Sequence, residues 1–228
     1  MPKYEIDGYD MQFLSAELAS NELFRADGGH LIFKDPTVQI QAKMQGGLLG
    51  ALKREVTGGS FFLLDLQGPG KVKLASFFPG RVVKVDLNGG AILGESTSFL
   101  GCEEGVNYSA SLGRLTAGIF GGEGIFLARF EGTGSVFLHG EGNVQELQLE
   151  SGQQIQVESS HLLAFDANMQ YGVSRVGGLK TMVFGGEGLF FVTVTGPGRA
   201  WVRSASRWQF MQSVLKAVPS NSGVSLRI

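Results

Sequence analysis

Apolar and polar positions alternate over short stretches of this chain, which is the pattern of half-buried β-strands. Residues 125–130 read Ile-Phe-Leu-Ala-Arg-Phe, and after Gly132-Thr133-Gly134 a second apolar run, Val-Phe-Leu, begins at Val136. Glycine at both ends of such a break supplies the backbone conformations of a tight turn. The pattern predicts a strand, a glycine turn and a second strand, paired as an antiparallel hairpin.

The same stretch occurs three times. GGEGIFLARFEGTGSVFLHG begins at Gly121, GGEGLFFVTVTGPGRAWVRS at Gly185, and a more divergent TGGSFFLLDLQGPGKVKLAS at Thr57. The turn glycines Gly68, Gly132 and Gly196 are each 64 residues apart. A fixed period of this length is typical of repeated structural units.

The segments before these stretches also match each other, so the repeat is a whole domain. His30 aligns with His161 at an offset of 131 residues, and Tyr108 aligns with Tyr171 at an offset of 63. The sequence therefore predicts leading strands of a first β-unit in residues 1–50, its glycine-bounded hairpin in 51–80, a second unit in 81–144, a third in 145–204, and a helix with a tail in 205–228.

One segment has helical spacing. Ser206 to Val218 places Trp208 and Met211 on one face, and Pro219 follows as a stop signal. The alternating tail that ends at Ile228 is compatible with an added strand at a sheet edge or with a frayed terminus. We expect an all-β protein of three tandem β-rolls or small sandwiches with pseudo-threefold symmetry, plus a short C-terminal helix.

Composition narrows the classes of function. The formal net charge of −2 gives no general attraction to nucleic acid or anionic lipid. The single cysteine excludes an intrachain disulfide framework, and the chain has neither a long apolar run nor a hydrophobic signal core. We expect a cytoplasmic protein without a membrane span.

Two glycine-rich loops and one basic strand face are the candidate binding sites. The loops are Gly122-Glu123-Gly124 and Gly186-Glu187-Gly188, which we interpret as interface or ligand loops. A phosphate site is disfavoured because a strand follows where a helix N-terminus is needed. The basic face consists of Lys71, Lys73, Arg81 and Lys84. It is either a solvated surface or, with Phe77 and Phe78 nearby, a nucleic-acid groove.

No catalytic, cofactor-binding or metal-binding set is predicted. His30, His139 and His161 lie in or beside apolar runs, where core or turn histidines are commoner than metal ligands. Cys102 is followed by two glutamates, which raise a thiol pKa rather than lower it. The sequence has no G-x-S-x-G nucleophile motif. We expect a protein that is not an enzyme.

The motifs GGLLGALKR, SFFLLDLQGPGKVKLAS, FGGEGIFLARFEGTGSVFLHG and GGLKTMVFGGEGLF resemble those of the altered-inheritance-of-mitochondria family over roughly residues 3–204. That resemblance implies three tandem copies of the β-roll of the tryptophan RNA-binding attenuation protein (TRAP-like), and a homotrimer whose nine β-domains close into a ring. It offers no catalytic residues. The repeated basic triplet that the attenuation protein uses for RNA has no counterpart here, because Lys71-Val72-Lys73 becomes Ser135-Val136-Phe137 in the second copy.

These expectations favour a ring-forming scaffold or interaction module whose partner is a second copy of the chain. The alternative is a ligand-binding or RNA-binding regulator that uses the seams between domains or the basic strand face.

Overall fold

The computed structural model describes residues 2–42, 63–112, 127–176 and 189–217. Within these ranges the chain is built of β-strands with a single helix near the C-terminus, which confirms the all-β prediction. The strands are β1 Lys3–Asp7, β2 Phe13–Leu18, β3 Leu23–Asp27, β4 Leu31–Lys34, β5 Gln39–Ala42, β6 Leu63–Gln67, β7 Gly70–Ala75, β8 Gly80–Glu95, β9 Phe99–Glu103, β10 Val106–Leu112, β11 Leu127–Glu141, β12 Val144–Leu149, β13 Gln154–Glu158, β14 Leu162–Asp166, β15 Gln170–Val176, β16 Leu189–Thr195 and β17 Gly198–Arg203.

The strands form three antiparallel sheets. A four-stranded sheet has the order β1-β2-β7-β4, and a three-stranded sheet has the order β13-β16-β15. A ten-stranded sheet has the order β12-β17-β14-β8-β11-β9-β3-β6-β5, with β10 alongside β11. Short 3₁₀ turns at Gly28–His30, Ser96–Ser98 and Ser159–His161 each connect two strands.

The predicted hairpins across the glycine turns are wrong. β6 pairs with β3 and β5, whereas β7 pairs with β2 and β4 in another sheet. In the second copy β11 runs unbroken through Gly132 and Gly134, and pairs with β8 from Gly80 to Glu95. The glycines therefore bend a strand from one sheet layer to the other without reversing it. Glycine serves a bend and a reversal equally well, so the sequence pattern alone does not separate them.

Three clusters of buried apolar side chains fill the space between the layers. One contains Phe24 and Leu74, a second contains Phe99 and Phe130, and the third contains Phe165. Neighbouring segments share these clusters, since Phe137 of β11 packs in the cluster of Phe24. Burial of these large side chains is the main source of stability, at about 25 cal/mol per Å² of apolar surface.

The helix, α1, spans Arg207–Ala217 and confirms the helical pattern predicted from the sequence. Ser206 caps it, because its hydroxyl oxygen accepts a hydrogen bond from the Gln209 amide at 3.3 Å. Phe210 packs edge-on against Phe78, with ring centroids 5.9 Å apart. Trp208 is exposed, so the helix rests on the sheets without burying its largest side chain. Pro219 and the tail lie outside the described residues.

We expect Gly198→Ala to lower the free energy of unfolding by about 1–3 kcal/mol. Gly198 has a φ of +149°, and an added Cβ would lie 2.8 Å from the Met169 side chain. Urea unfolding measures the change. Gly172→Ala is the matched control, because nothing lies within 4 Å of its added Cβ. Equal destabilisation of both variants would contradict the role of this bend.

Candidate functional site

The two predicted glycine loops, Gly122-Glu123-Gly124 and Gly186-Glu187-Gly188, lie outside the described residues. The four residues of the basic strand face are described, and they divide between two sheets. Lys71 and Lys73 lie on β7 in the four-stranded sheet, and Arg81 and Lys84 lie on β8 in the ten-stranded sheet.

Three of these four cations have partners on their own chain. The Lys73 ammonium lies 3.0 Å from an Asp7 carboxylate oxygen and 4.7 Å from the centre of the Phe13 ring. The Lys84 ammonium lies 2.9 Å from Asp86. The Arg81 side chain donates a hydrogen bond to the Asn143 amide oxygen at 3.3 Å. Such exposed contacts contribute at most about 1 kcal/mol, and the carboxylates of Asp7 and Asp86 reduce the charge that is available to a polyanion.

The three histidines occupy turn or core positions, as expected. His30 is buried in the first 3₁₀ turn, with Nδ1 3.3 Å from an Asp27 carboxylate oxygen. His161 ends the third 3₁₀ turn, and its Nδ1 donates to the Arg203 carbonyl oxygen at 2.9 Å. His139 is buried on β11, and burial lowers its pKa to about 4. Among the described residues no three potential ligands converge on one point that suits a metal ion.

Cys102 is buried on β9, and burial raises the pKa of its thiol to about 12. The thiolate is therefore scarce at neutral pH, and the residue is a core side chain. Charge on Glu103 acts in the expected direction, but it is a smaller influence than desolvation.

A buried cluster of opposite charges, which the sequence analysis did not propose, joins three strands to the helix. Arg203 donates through Nη1 to Glu141 at 2.6 Å and to Glu95 at 3.0 Å. Its Nε donates to the Ser160 carbonyl oxygen at 2.9 Å. Arg207, the first residue of α1, donates to the other Glu141 oxygen at 2.7 Å. We call Glu95, Glu141, Arg203 and Arg207 the arginine–glutamate cluster; its formal charges sum to zero.

Burial alone would raise the pKa of Glu95, but the charge of Arg203 and hydrogen bonds from Ser98 and Thr97 outweigh it and hold that pKa below its usual value. Burial likewise works to lower the pKa of Arg203, whereas Glu95 and Glu141 raise it. Both side chains are therefore charged at neutral pH. One feature of the sequence points to this cluster. Arg203 lies two positions after Trp201 on β17, so it faces the same buried side of the strand.

A polar cleft of about 670 Å³ lies at the junction of β8 with β14. Its lining includes Asp86, Gly89, Arg129, Glu131, Asp166 and Arg199. Its arginines are paired within the chain: Arg199 donates to both Asp166 oxygens, at 2.9 and 3.2 Å, and Arg129 lies 2.8 Å from Glu131. The arginines that line the cleft are thus neutralised by carboxylates, and the backbone at Gly89 has open space beside it.

Three carboxylates hold the backbone just after the glycine bends. Asp35 accepts a hydrogen bond from the Lys71 amide at 2.8 Å, and Glu103 accepts one from the Ser135 amide at 2.9 Å. Asp166 accepts one from the Arg199 amide at 2.8 Å. The three donors are 64 residues apart in the sequence.

Seven of the described strands pair on one side only: β1, β4, β5, β10, β12, β13 and β15. Two of these, β4 and β13, differ in this from the strands at the same place beside the other 3₁₀ turns. β9 pairs with β11 and β3, and β14 pairs with β17 and β8. β4, by contrast, pairs with β7 alone, and β13 pairs with β16 alone among the described strands. Ile32 and Phe33 on β4 are 57% and 48% exposed. Unpaired backbone and exposed apolar side chains therefore coincide at β4.

A sequence profile of the family described as "Mitochondrial biogenesis AIM24" matches residues 4–205. The chain belongs to this family. An uncharacterised protein of Streptococcus pyogenes serotype M6 is 24% identical over 204 residues, which cover 85% of this chain and 82% of the relative. A crystal structure of a Streptococcus pyogenes protein superposes with a TM-score of 0.79 at 21% identity, and covers 96% of this chain and 100% of the other.

The crystal structure shares the fold, and the AIM24 family match includes every described strand except part of β1. No helix in the described ranges is long and apolar enough to cross a membrane.

We expect Arg203→Met to lower the free energy of unfolding by about 3–5 kcal/mol, because it leaves buried carboxylates without their partner. Chemical unfolding with urea measures the loss. Arg129→Met is the control, because the Arg129–Glu131 pair is exposed and contributes at most about 1 kcal/mol. A loss at Arg203 no larger than the loss at Arg129 would contradict a structural role for the cluster.

Acid should weaken the fold through His139. Its pKa is about 4 in the folded chain against an ordinary value of 6.5, so between these values the unfolded chain binds more protons. The contribution of His139 to the free energy of unfolding is fully present above pH 6.5, and about 3 kcal/mol of it is lost as the pH falls towards 4. His139→Leu should flatten the pH dependence of the free energy of unfolding in this window. An unchanged slope would mean that His139 is not the titrating group.

Proposed function

We propose that this protein is a non-enzymatic scaffold or interaction module that assembles as a closed homotrimeric ring, in which each chain supplies three copies of a small TRAP-like β-roll. The proposal assigns it to the cytoplasm, in line with its single, buried cysteine. The observation that carries the proposal is that β4 and β13 each have a free side among the described strands, whereas the strands at the same place beside the other 3₁₀ turns are paired on both sides.

The order of strand pairing supports three equivalent units. Residues 13–75 pair as β2-β7-β4 in one layer and β3-β6-β5 in the other. Residues 144–203 pair as β12-β17-β14 and β13-β16-β15. Between them, the two halves of β8 and of β11 take the corresponding places beside β9 and β10. The carboxylates of Asp35, Glu103 and Asp166 hold corresponding bends.

The junctions between units support a ring. At each junction within the chain, the strand before one 3₁₀ turn pairs with the strand after the next 3₁₀ turn. Among the described strands, none takes the corresponding place beside β4 or beside β13. Each subunit offers one edge of each kind, so head-to-tail association joins them, and in the proposed ring of three copies neither edge is left exposed.

The arginines and carboxylates of the arginine–glutamate cluster, and Arg199 with Asp166, have structural partners, which favours a scaffold over an enzyme. The arginine–glutamate cluster anchors α1, and the paired charges of Arg199 and Asp166 hold a bend. Neither group combines a nucleophile with a free base, which acyl or phosphoryl transfer to a side chain would need.

The polar cleft at the β8–β14 junction favours a second candidate function, that of a ligand-binding regulator. Its volume of about 670 Å³ is within the usual range for small-molecule sites, which is roughly 300–1,000 Å³. The basic strand face gives weaker support to RNA binding, because Lys73 and Lys84 are paired with Asp7 and Asp86.

We expect native mass spectrometry to give a mass of three times 24.4 kDa at micromolar concentration. A folded monomer would overturn the ring. A stoichiometric small-molecule adduct on the trimer would add the ligand-binding function, and retention on an oligonucleotide column that falls steeply with salt would add RNA binding.

A further inference from the structure

We infer that the subunits join through β13 of one copy and β4 of the next, in the register that the chain already uses at its two internal seams. This inference rests on the proposed ring and names the surface that forms it. The occupant of the open β4 edge is a second copy of this chain.

The internal seams define the register. At the first seam, β3 and β9 place Phe24 opposite Glu103 and Arg25 opposite Cys102. At the second seam, β8 and β14 place Ile92 opposite Asp166 and Leu93 opposite Phe165. Arg25 lies before the 3₁₀ turn that follows β3, and Leu93 lies the same number of positions before the 3₁₀ turn that follows β8.

The same positions can be counted on the open edges. Arg25 and Leu93 lie two residues before the carboxylates Asp27 and Glu95 that precede the 3₁₀ turns, and Gln156 lies two residues before Glu158. On the partner strands, Cys102 and Phe165 are the fourth residues of β9 and β14, and Lys34 is the fourth residue of β4.

This count places Gln156 opposite Lys34 of the neighbouring copy. Ile155 then faces Asp35, and Val157 faces Phe33. One residue further along, Glu158 faces Ile32. A shift of this register by one residue would turn every side chain of the shifted strand to the wrong face of the sheet. Burial therefore specifies the register, in addition to the backbone hydrogen bonds.

Burial agrees with this assignment. The first four residues of β9 and of β14 are all buried, whereas none of the four residues of β4 is buried, although three of them are apolar. On the other side, Phe24 and Ala26 of β3 are buried, but their counterparts Ile155 and Val157 of β13 are only half-buried. Strands at corresponding places are thus buried where a seam exists, and less buried where no other described strand pairs with their free side.

The experiment is cysteine cross-linking of the full chain carrying Gln156→Cys and Lys34→Cys. Directly opposite residues in an antiparallel pair have Cα atoms about 4.5–5.5 Å apart, within the range of a disulfide. Mild oxidation should give covalent trimers that a reductant separates on a denaturing gel. Buried Cys102 contributes no background because its thiol is inaccessible.

Gln154→Cys with Lys34→Cys is the matched control, since residues two positions out of register are about 7–8 Å apart and do not form a disulfide. Cross-linking of the control as fast as the test pair would overturn the register. A trimer by native mass without any cross-link in the test pair would overturn this seam and leave the ring standing. A monomer by native mass would overturn both.

A charge pair gives a second readout that does not need a disulfide. Ile32→Glu places a carboxylate opposite Glu158 of the next copy, whereas Ile32→Lys places an ammonium there. We expect subunit association to be about tenfold weaker for Ile32→Glu than for Ile32→Lys at low salt. Circular dichroism of both variants reports whether the subunit fold is retained. Equal association of two folded variants would overturn the pairing of β4 with β13.

Discussion

The structure depends on the need of its sheet strands for hydrogen-bonding partners. Buried backbone N–H and C=O groups are costly to leave unpaired, and an open edge also invites association with other chains. In this protein the strand before one 3₁₀ turn pairs with the strand after the next 3₁₀ turn. β9 and β14 meet the need within the chain, by pairing with β3 and β8. In the proposed ring, the free sides of β4 and β13 are the surfaces through which the subunits join.

The bends convert this local constraint into a layered architecture. A strand such as β11 serves one ladder before Gly132 and another after Gly134, so one continuous segment contributes to both layers. The carboxylates of Asp35, Glu103 and Asp166 satisfy amide groups where the regular ladder is interrupted. These three carboxylates therefore serve the backbone.

The arginine–glutamate cluster has a comparable role at the C-terminal side of the fold. Arg203 lies on β17 and Glu95 on β8, and Arg207 brings α1 into the same network through Glu141. A buried charge needs a partner of opposite charge, and these four residues pair with one another. The cluster fixes how β17 and the helix sit on β8 and β11, which explains why strong charges occur within an apolar setting.

Several features could be predicted from the sequence because their physical cause is local. Alternation of apolar residues identified the β-class, the helical spacing after Ser206 identified α1, and the motifs identified the family. The histidines were assigned to turns and core because their neighbours in the sequence are apolar, and Cys102 was assigned a raised thiol pKa, although the main cause is burial.

Other features depend on residues that are distant in the sequence. The glycines at 68, 132 and 196 suit a reversal and a bend alike, and only the partners of β6, β7 and β11 decide that they bend. The basic residues Lys73 and Lys84 looked like one surface until their sheets and acidic partners were known. The sequence by itself determined which segments form strands, since that follows from local periodicity. Only the tertiary structure decided which strands pair and which edges stay open, because pairing depends on how the layers meet in space.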